Sequence, residues 1–405
     1  MISKDCVKIS NSDITVNAGT DGIKSTNTED GTRGYVLIES GSFDITAQND
    51  GIQAETALFI RNGKFNIKTG GGSAVSSNNY GSEGNRWGMW GGQSSSTDND
   101  SAKALKAVSL IEIDDGDFNI DSSDDAIHSN SDLEIKGGSF NISSGDDGIH
   151  ADDQLIISNG TLKITKSYEG IEATAITVSG GDIDLTALDD GFNAAGGNDS
   201  SSMGGRPGQN PFESDSNAQI NFTGGYILVN ASGDGIDSNG DITISGGILL
   251  VSGPTNNSNG SLDYGGTATV NGGVAVIVGS SGMATAFAPS STQASFMYNI
   301  ESAETTVSVT DGKKVIASFT PTKLYNNVIV SCPTFKIGNT YTLNIGGVVS
   351  NSDNNGYTDN GTVSNPQSTY EIELSSVCVS NGSSGMDGGM GGKHHGGGMG
   401  RPFLR

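Results

Sequence analysis

The chain has 405 residues, among them 61 glycines and 8 prolines, and a formal net charge of −25. Its richness in glycine, asparagine and aspartate favours many short strands joined by tight turns and argues against helices. The acidity argues against nucleic acid, whose phosphates need a basic partner, and no apolar run reaches the ~18 residues of a transmembrane helix.

The first ten residues, MISKDCVKIS, contain no signal peptide and already fit a repeat unit. Ile2 aligns with Ile23 at a 21-residue step, while Val7 and Ile9 align with Leu133 and Ile135. The pattern predicts a chain that begins inside a coil, as an N-terminally incomplete copy of a longer protein. We expect that parent protein to be extracellular or bound to the cell surface.

An acidic-Gly-apolar phrase, such as Asp147-Gly148-Ile149, recurs along the chain. Its apolar residues are Ile23, Ile52, Leu105, Ile127, Ile149, Ile171, Phe192 and Ile236, and from Leu105 to Phe192 the steps are 22, 22, 22 and 21. Two further short runs of alternating apolar residues complete each unit, for example DLEI from Asp132 and GSFNI from Gly138. Three strands in about 22 residues predict an all-β, right-handed parallel β-helix over residues 1–282, whose stacked coils share one core.

Two insertions, residues 76–100 and 196–217, interrupt this period after the strand of the phrase. The first insertion carries Tyr80, Trp87 and Trp90, which we predict as a platform for sugar rings, with a packed lid as the alternative. Between the insertions, SAKALKAV from Ser101 follows the strand period and not a helical one. Lys103 and Lys106 are therefore expected at the same corner as the acidic residues.

Stacking of the coils brings equivalent residues of successive coils into two columns of polar side chains, here called the polar files. The position two before the apolar residue reads Asp21, Asp50, Lys103, Asp125, Asp147, Glu169, Asp190 and Asp234. The position one after it reads Lys24, Gln53, Lys106, His128, His150, Glu172, Asn193 and Asp237. Carboxylates ~5 Å apart would repel by roughly 3 kcal/mol at an effective dielectric constant of ~20. Protonation or a bound cation would relieve this, and a set of oxygen ligands suits Ca²⁺; turn formation by Asp alone is the alternative.

After about residue 282 the repeat fades. Residues 283–378 read as ordinary strands, such as TTVSVT and YTLNI, and predict a small C-terminal β domain that caps the solenoid. Cys332 and Cys378 are a possible disulfide pair. Residues 379–405 form a low-complexity, Gly-rich tail that we expect to be disordered.

The phrases DDAIHSN, GDDGIHADDQLIISNGTLKI, SYEGIEAT, DDGFNAAGG and SGDGIDSNGDITISGG resemble the carbohydrate-binding-domain family of exported, polysaccharide-lyase-like parallel β-helix proteins. The resemblance covers roughly residues 2–285. It implies Ca²⁺ bound along the solenoid and adhesion to cellulose or pectic acid at a cell surface. The implied calcium ligands are Asp124, Asp125, Asp146, Asp147, Glu169, Glu172, Asp189 and Asp190, with Asp152 or Asn193 as extra ligands.

Three functions remain open on the sequence. The first is a non-catalytic, calcium-binding carbohydrate-binding protein, with Tyr80, Trp87, Trp90, His128 and His150 as candidate sugar contacts. The second is a calcium-dependent pectate lyase, in which Lys103, Lys106 or Lys163 would be the base that removes a proton beside the uronate carboxylate. The third is a structural adhesin stalk without a glycan partner.

Overall fold

The computed structural model describes residues 1–75, 101–194 and 217–382, and within these ranges it contains strands and turns and no α-helix. The three sheets of the solenoid are parallel ladders, named A, B and C in the order in which each coil passes through them. No helix in this part of the chain has the length and apolar character needed to cross a membrane.

Ladder A carries the acidic-Gly-apolar phrase. Its strands are Ile2–Ser3, Ile23–Ser25, Ile52–Ala54, Leu105–Ala107, Ile127–Ser129, the starts of Ile149–Ile157 and Ile171–Val178, Phe192–Ala194, Ile236–Ser238 and Asp263–Tyr264.

Ladder B follows after a short bend. Its strands are Cys6–Ile9, Tyr35–Ile38, Ala57–Ile60, Leu110–Ile113, Asp132–Ile135, the ends of Ile149–Ile157 and Ile171–Val178, Gln219–Phe222, and the starts of Asp241–Ser252 and Ala268–Gly279.

Ladder C closes each coil. Its strands are Ser12–Ala18, Gly41–Ala47, Lys64–Thr69, Asp117–Ser122, Ser139–Ser143, Thr161–Lys166, Asp182–Ala187, Tyr226–Ala231, and the ends of Asp241–Ser252 and Ala268–Gly279.

The predicted parallel β-helix is confirmed, and the register follows the repeat. Ile127 pairs with Ile149 in ladder A, and Leu133 pairs with Leu155 in ladder B. One predicted alignment is wrong: Ile2 pairs with Lys24 and not with Ile23. Ile2 is 66% exposed in the first coil, so no packed neighbour holds it to the core side of the strand.

The core consists of the alternate residues of each strand that face inward. In ladder C these include the stacked rings of Phe43, Phe65, Phe118 and Phe140, whose centroids are 4.8, 4.6 and 4.5 Å apart with interplanar angles of 4°, 3° and 1°. The ring separation matches the ~4.8 Å between neighbouring strands, so the sheet spacing imposes the face-to-face stacking.

The glycine of the phrase is required by the close approach of successive coils. A Cβ on Gly148 would lie 2.6 Å from the carbonyl oxygen of Gly170, and one on Gly170 would lie 2.4 Å from that of Gly191. These carbonyls accept hydrogen bonds from the preceding coil, for example from Ile149 at 3.2 Å. A side chain here would push two coils apart.

The C-terminal residues extend and cover ladder C. Ala268–Gly279 pairs antiparallel with Tyr325–Ser331, which pairs with Ser295–Ala303, and that strand pairs with Cys378–Ser380. A separate antiparallel sheet has the order Lys314–Phe319, Val307–Asp311, Thr340–Ile345, Ser368–Glu373, and Val348–Val349 pairs with Val363–Ser364.

The last coils of ladder C supply the surface on which this region packs. Leu250, Val276 and Val278 are apolar at outward positions and share one core cluster with Val307, Phe319 and other residues of the antiparallel sheet. The possible Cys332–Cys378 bond is not formed, because all three cysteines are free. Residues 76–100 of the first insertion, nearly all of the second, and the tail beyond residue 382 lie outside the described residues.

Candidate functional site

One polar file lies in the turns that immediately precede the ladder A strands, and the other lies on those strands, at the positions that alternate with the core isoleucines. One carboxylate oxygen of several file members has a structural role. Asp125 Oδ1 accepts the backbone N–H of Asp147 at 3.0 Å, and Asp147 Oδ1 accepts that of Glu169 at 3.2 Å. Asp190 Oδ1 accepts the N–H of Asp234 at 2.6 Å. Each such bond ties a coil to the next and explains why aspartate returns with the period.

The other carboxylate oxygen of these acidic residues contacts different partners in the two halves of the solenoid. In the N-terminal half, the buried Lys103 ammonium lies 2.8 Å from Asp125 Oδ2 and 3.0 Å from Asp124 Oδ1. Lys106 lies 3.7 Å from Asp50. Burial opposes the ionisation of Asp125, but Lys103 and His128 hold the pKa of Asp125 well below its usual range. The prediction that these lysines share the acidic corner is confirmed.

His128 and His150 also contact carboxylates in the N-terminal half. Their rings stack with centroids 4.6 Å apart, and they are 1% and 0% exposed. His128 Nδ1 lies 2.8 Å from Asp125 Oδ2. The two nitrogens of His150 face Glu172 at 2.9 Å and Asp152 at 3.1 Å.

The charge of His150 follows from these contacts. Burial would lower its pKa, but hydrogen bonds to Asp147, Asp152 and Glu172 raise that pKa well above the ordinary value. Both ring nitrogens are therefore donors, and His150 acts as an internal cation. Contact of either histidine with a sugar stays a prediction.

The C-terminal half has a different character. Carboxylate oxygens of Asp190, Asp234 and Asp237, here called the aspartate site, lie within 4.8 Å of one another. Within residues 1–75, 101–194 and 217–382, no lysine, arginine or histidine forms an ion pair with any of the three. Burial and then the neighbouring carboxylates raise the pKa of Asp190 and Asp237 well above the ordinary value, and burial raises that of Asp234 to about 7.

Asn193 adds an independent observation beside the aspartate site. It pairs in ladder register with Asp237 on one side and Glu172 on the other. Its Nδ2 donates to Glu169 at 2.7 Å, while its Oδ1 is buried and has no hydrogen-bond partner among the residues that the structure describes. A buried acceptor without a donor is costly unless something positive reaches it. The oxygens of this site are the kind of ligands that Ca²⁺ takes, so the residues fit the predicted ion.

The predicted calcium ligands divide between the two halves. Those in contact with Lys103, the histidines or one another in the N-terminal half are Asp124, Asp125, Asp146, Asp147, Asp152 and Glu172. Those near the aspartate site are Glu169, Asp189, Asp190 and Asn193. Asp234 and Asp237 were not predicted as ligands, although SGDGIDSNG repeats the acidic positions after the second insertion.

The remaining candidate residues are elsewhere. Lys163 lies on the outer side of ladder C, 59% exposed and 3.8 Å from Asp184, and is not brought together with Lys103 and Lys106. Tyr80, Trp87 and Trp90 fall outside the described residues.

The structure is a solenoid of stacked parallel coils with two columns of charged and polar residues along ladder A. This architecture is that of a β-helical repeat protein. The family model of the carbohydrate-binding domain-containing proteins matches residues 1–148 and 146–320, and the chain belongs to this family. Family membership supports a carbohydrate-binding role. Searches of curated proteins and of solved structures found no significant match.

Proposed function

We propose that the protein is a calcium-binding, non-catalytic module that adheres to plant-type polysaccharide, cellulose or pectic acid, at a cell surface, on a polysaccharide-lyase-like scaffold. The observation that carries the calcium part is the aspartate site. Three partly buried carboxyl groups there have no basic partner in the described chain, in contrast to the N-terminal half. A divalent cation would do there what Lys103 and His150 do for Asp125 and Glu172.

The residues that would hold the ion are Asp190, Asp234 and Asp237 through their carboxylates and Asn193 through its Oδ1. Bound calcium would favour the ionised carboxylates, replace their mutual repulsion with attraction and stiffen the coils that they join. It would also give uronate carboxylates of pectic acid a positive charge to approach on an acidic protein.

The lyase alternative receives less support from the described residues. A lyase base must be a neutral amine near the bound uronate. Lys103 lies between two carboxylates, which favour its charged form, and Lys163 is on another ladder. The pairing of Lys103 therefore fits a structural cation better than a base.

One set of assays distinguishes the three functions. The protein is incubated with polygalacturonate and Ca²⁺ while the absorbance of the unsaturated product is followed, and adsorption to cellulose and to pectin is measured in parallel. Adsorption without product formation supports the module. Product formation that Lys103→Ala abolishes supports the lyase, and absence of both supports the stalk.

Calcium itself is tested by thermal melts across a titration of Ca²⁺ in chelated protein, with Mg²⁺ as the control ion. A melting temperature that rises with Ca²⁺ and saturates supports the site. A melting temperature independent of both ions contradicts it.

A further inference from the structure

The outer side of ladder B changes character along the solenoid. Outward positions in several coils are polar, such as Asp132 and Glu134, or Gln219 and Asn221. In three consecutive coils near the N-terminus they are instead Tyr35 and Leu37, Ala57 and Phe59, and Leu110. All five of these side chains are partly exposed. They form a continuous patch, here called the ladder B patch.

The strand register places the residues of this patch side by side. Leu37 pairs directly with Phe59, and Val36 pairs with Leu58. Tyr35 therefore lies on the strand next to that of Phe59, two residues before the residue that pairs with Phe59. Phe59 in turn pairs with Glu112 of the next coil. Two aromatic rings thus stand on neighbouring strands of an open sheet surface.

Two cations lie over the aromatic rings of the patch, and further charged groups surround its apolar centre. Lys8 Nζ lies 5.3 Å from the centroid of the Tyr35 ring, and the Arg61 guanidinium carbon lies 5.5 Å from that of Phe59. Arg61 also bonds Glu112 and, at 2.6 Å, Asp114, while Lys136 lies 3.0 Å from Glu112. An apolar centre with a hydrogen-bonding rim is the usual anatomy of a binding surface, and contiguous exposed apolar area on a soluble protein marks such surfaces.

We infer that the ladder B patch is a stacking platform for a linear polysaccharide of cellulose type, an inference that rests on the proposed carbohydrate-binding function. A pyranose ring in such a chain has C–H-rich faces that pack against aromatic rings, and hydroxyl groups at its edge. Tyr35 and Phe59 offer the packing surface for the C–H face once the exposed Lys8 and Arg61 side chains turn aside from the two rings. Lys8, Arg61 and Glu112 then offer donors and acceptors for the hydroxyl groups. An extended glycan needs an extended surface rather than a closed cavity, and the outer side of ladder B supplies one.

The double variant Tyr35→Leu/Phe59→Leu tests the platform, because leucine keeps apolar cover of the strands while removing the rings. Adsorption isotherms on microcrystalline cellulose should show at least about tenfold weaker binding, with the calcium-dependent melting temperature unchanged. Tyr370→Leu, which removes a partly exposed ring from the C-terminal sheet, is the matched control and should bind as the wild type does. A double variant with the wild-type isotherm overturns the inference.

A second measurement does not depend on the stability of variants. Hydroxyl-radical footprinting of the wild-type protein with and without cellohexaose should show lower oxidation of Tyr35 and Phe59, but not of Tyr370, when the sugar is present. Equal oxidation in both samples overturns the platform even though the protein adsorbs to cellulose. A wild type that adsorbs to neither cellulose nor pectin overturns the proposed function as well. If the double variant loses self-association but keeps its sugar binding, the patch contacts a second copy of the chain and the inference is overturned.

Discussion

Replacement of Asp237 by asparagine should change stability in opposite directions with and without calcium. Its carboxylate oxygens lie within 4.8 Å of those of Asp190 and Asp234. At that separation two unit charges repel by about 3.5 kcal/mol at an effective dielectric constant of ~20. In chelator, the neutral amide removes this repulsion. Because the carboxyls are partly protonated, we expect a net gain on the order of 1–3 kcal/mol, or about 1–4 °C in melting temperature for a chain of this length.

In saturating Ca²⁺ the same substitution should be unfavourable, because a charged ligand becomes a neutral one. A tenfold loss of affinity corresponds to about 1.4 kcal/mol of binding free energy. The rise in melting temperature on adding Ca²⁺ should therefore be clearly smaller in Asp237→Asn than in the wild type. Thermal melts at pH 8 in chelator and in Ca²⁺ measure both effects. Asp132→Asn, on the outer side of ladder B, is the control and should change neither.

The pH dependence follows from the same site. The pKa of Asp234 in the folded protein, about 7, is above the ordinary value of 3.8. A group of this kind contributes stability that is fully present below its unfolded pKa and is lost as pH rises through its folded pKa. In chelator the melting temperature should fall between about pH 4 and 8, and less steeply for Asp237→Asn. If Asp237→Asn lowers the melting temperature equally in chelator and in Ca²⁺, the reasoning is refuted.

Two further substitutions test the counter-charge supplied by Lys103 and the close approach of successive coils at Gly170. Lys103→Met leaves two carboxylates without their ammonium partner, one of them the fully buried Asp125, and should cost about 3–5 kcal/mol in urea unfolding. The exposed Lys64→Met is its control, and equal losses would show that Lys103 is not the counter-charge. Gly170→Ala puts a Cβ 2.4 Å from the next coil and should cost about 1–3 kcal/mol, whereas Gly31→Ala, with nothing within 4 Å, should stay within about 0.5 kcal/mol. A tolerated Gly170→Ala would contradict the close-approach explanation.

The coil and its register could be predicted because one phrase carried three constraints together. Ile149 had to face the core, Gly148 had to admit a neighbouring carbonyl, and Asp147 had to bond the next coil. Each constraint repeats at the same interval, so alignment of the sequence with itself found them. The single error, at Ile2, falls in the first coil, where the core pattern that fixes register is weakest.

The division of the acidic files could not be predicted from spacing alone. The sequence placed Lys103 and Asp125 at one corner, but only the 2.8 Å contact shows that the ammonium neutralises that half. The sequence also placed His150 in the file without indicating that carboxylates face both of its nitrogens.

The ladder B patch did leave a signal in the sequence. YVLI from Tyr35 and ALFI from Ala57 lack the polar alternation of DLEI from Asp132. The same loss of alternation in GGILLVS, from Gly246, marks the surface covered by the C-terminal sheet. Outward apolar residues therefore indicate either an internal interface or an external one, and only the fold shows which of the two a given coil has.

The four phenylalanine rings of ladder C form a one-dimensional array that runs along the solenoid axis. Rings held parallel at such short separation couple electronically, and the coupling falls steeply as they move apart. Because the separation of the rings is the spacing of the coils, stretching or loosening of the solenoid would weaken this coupling ring by ring.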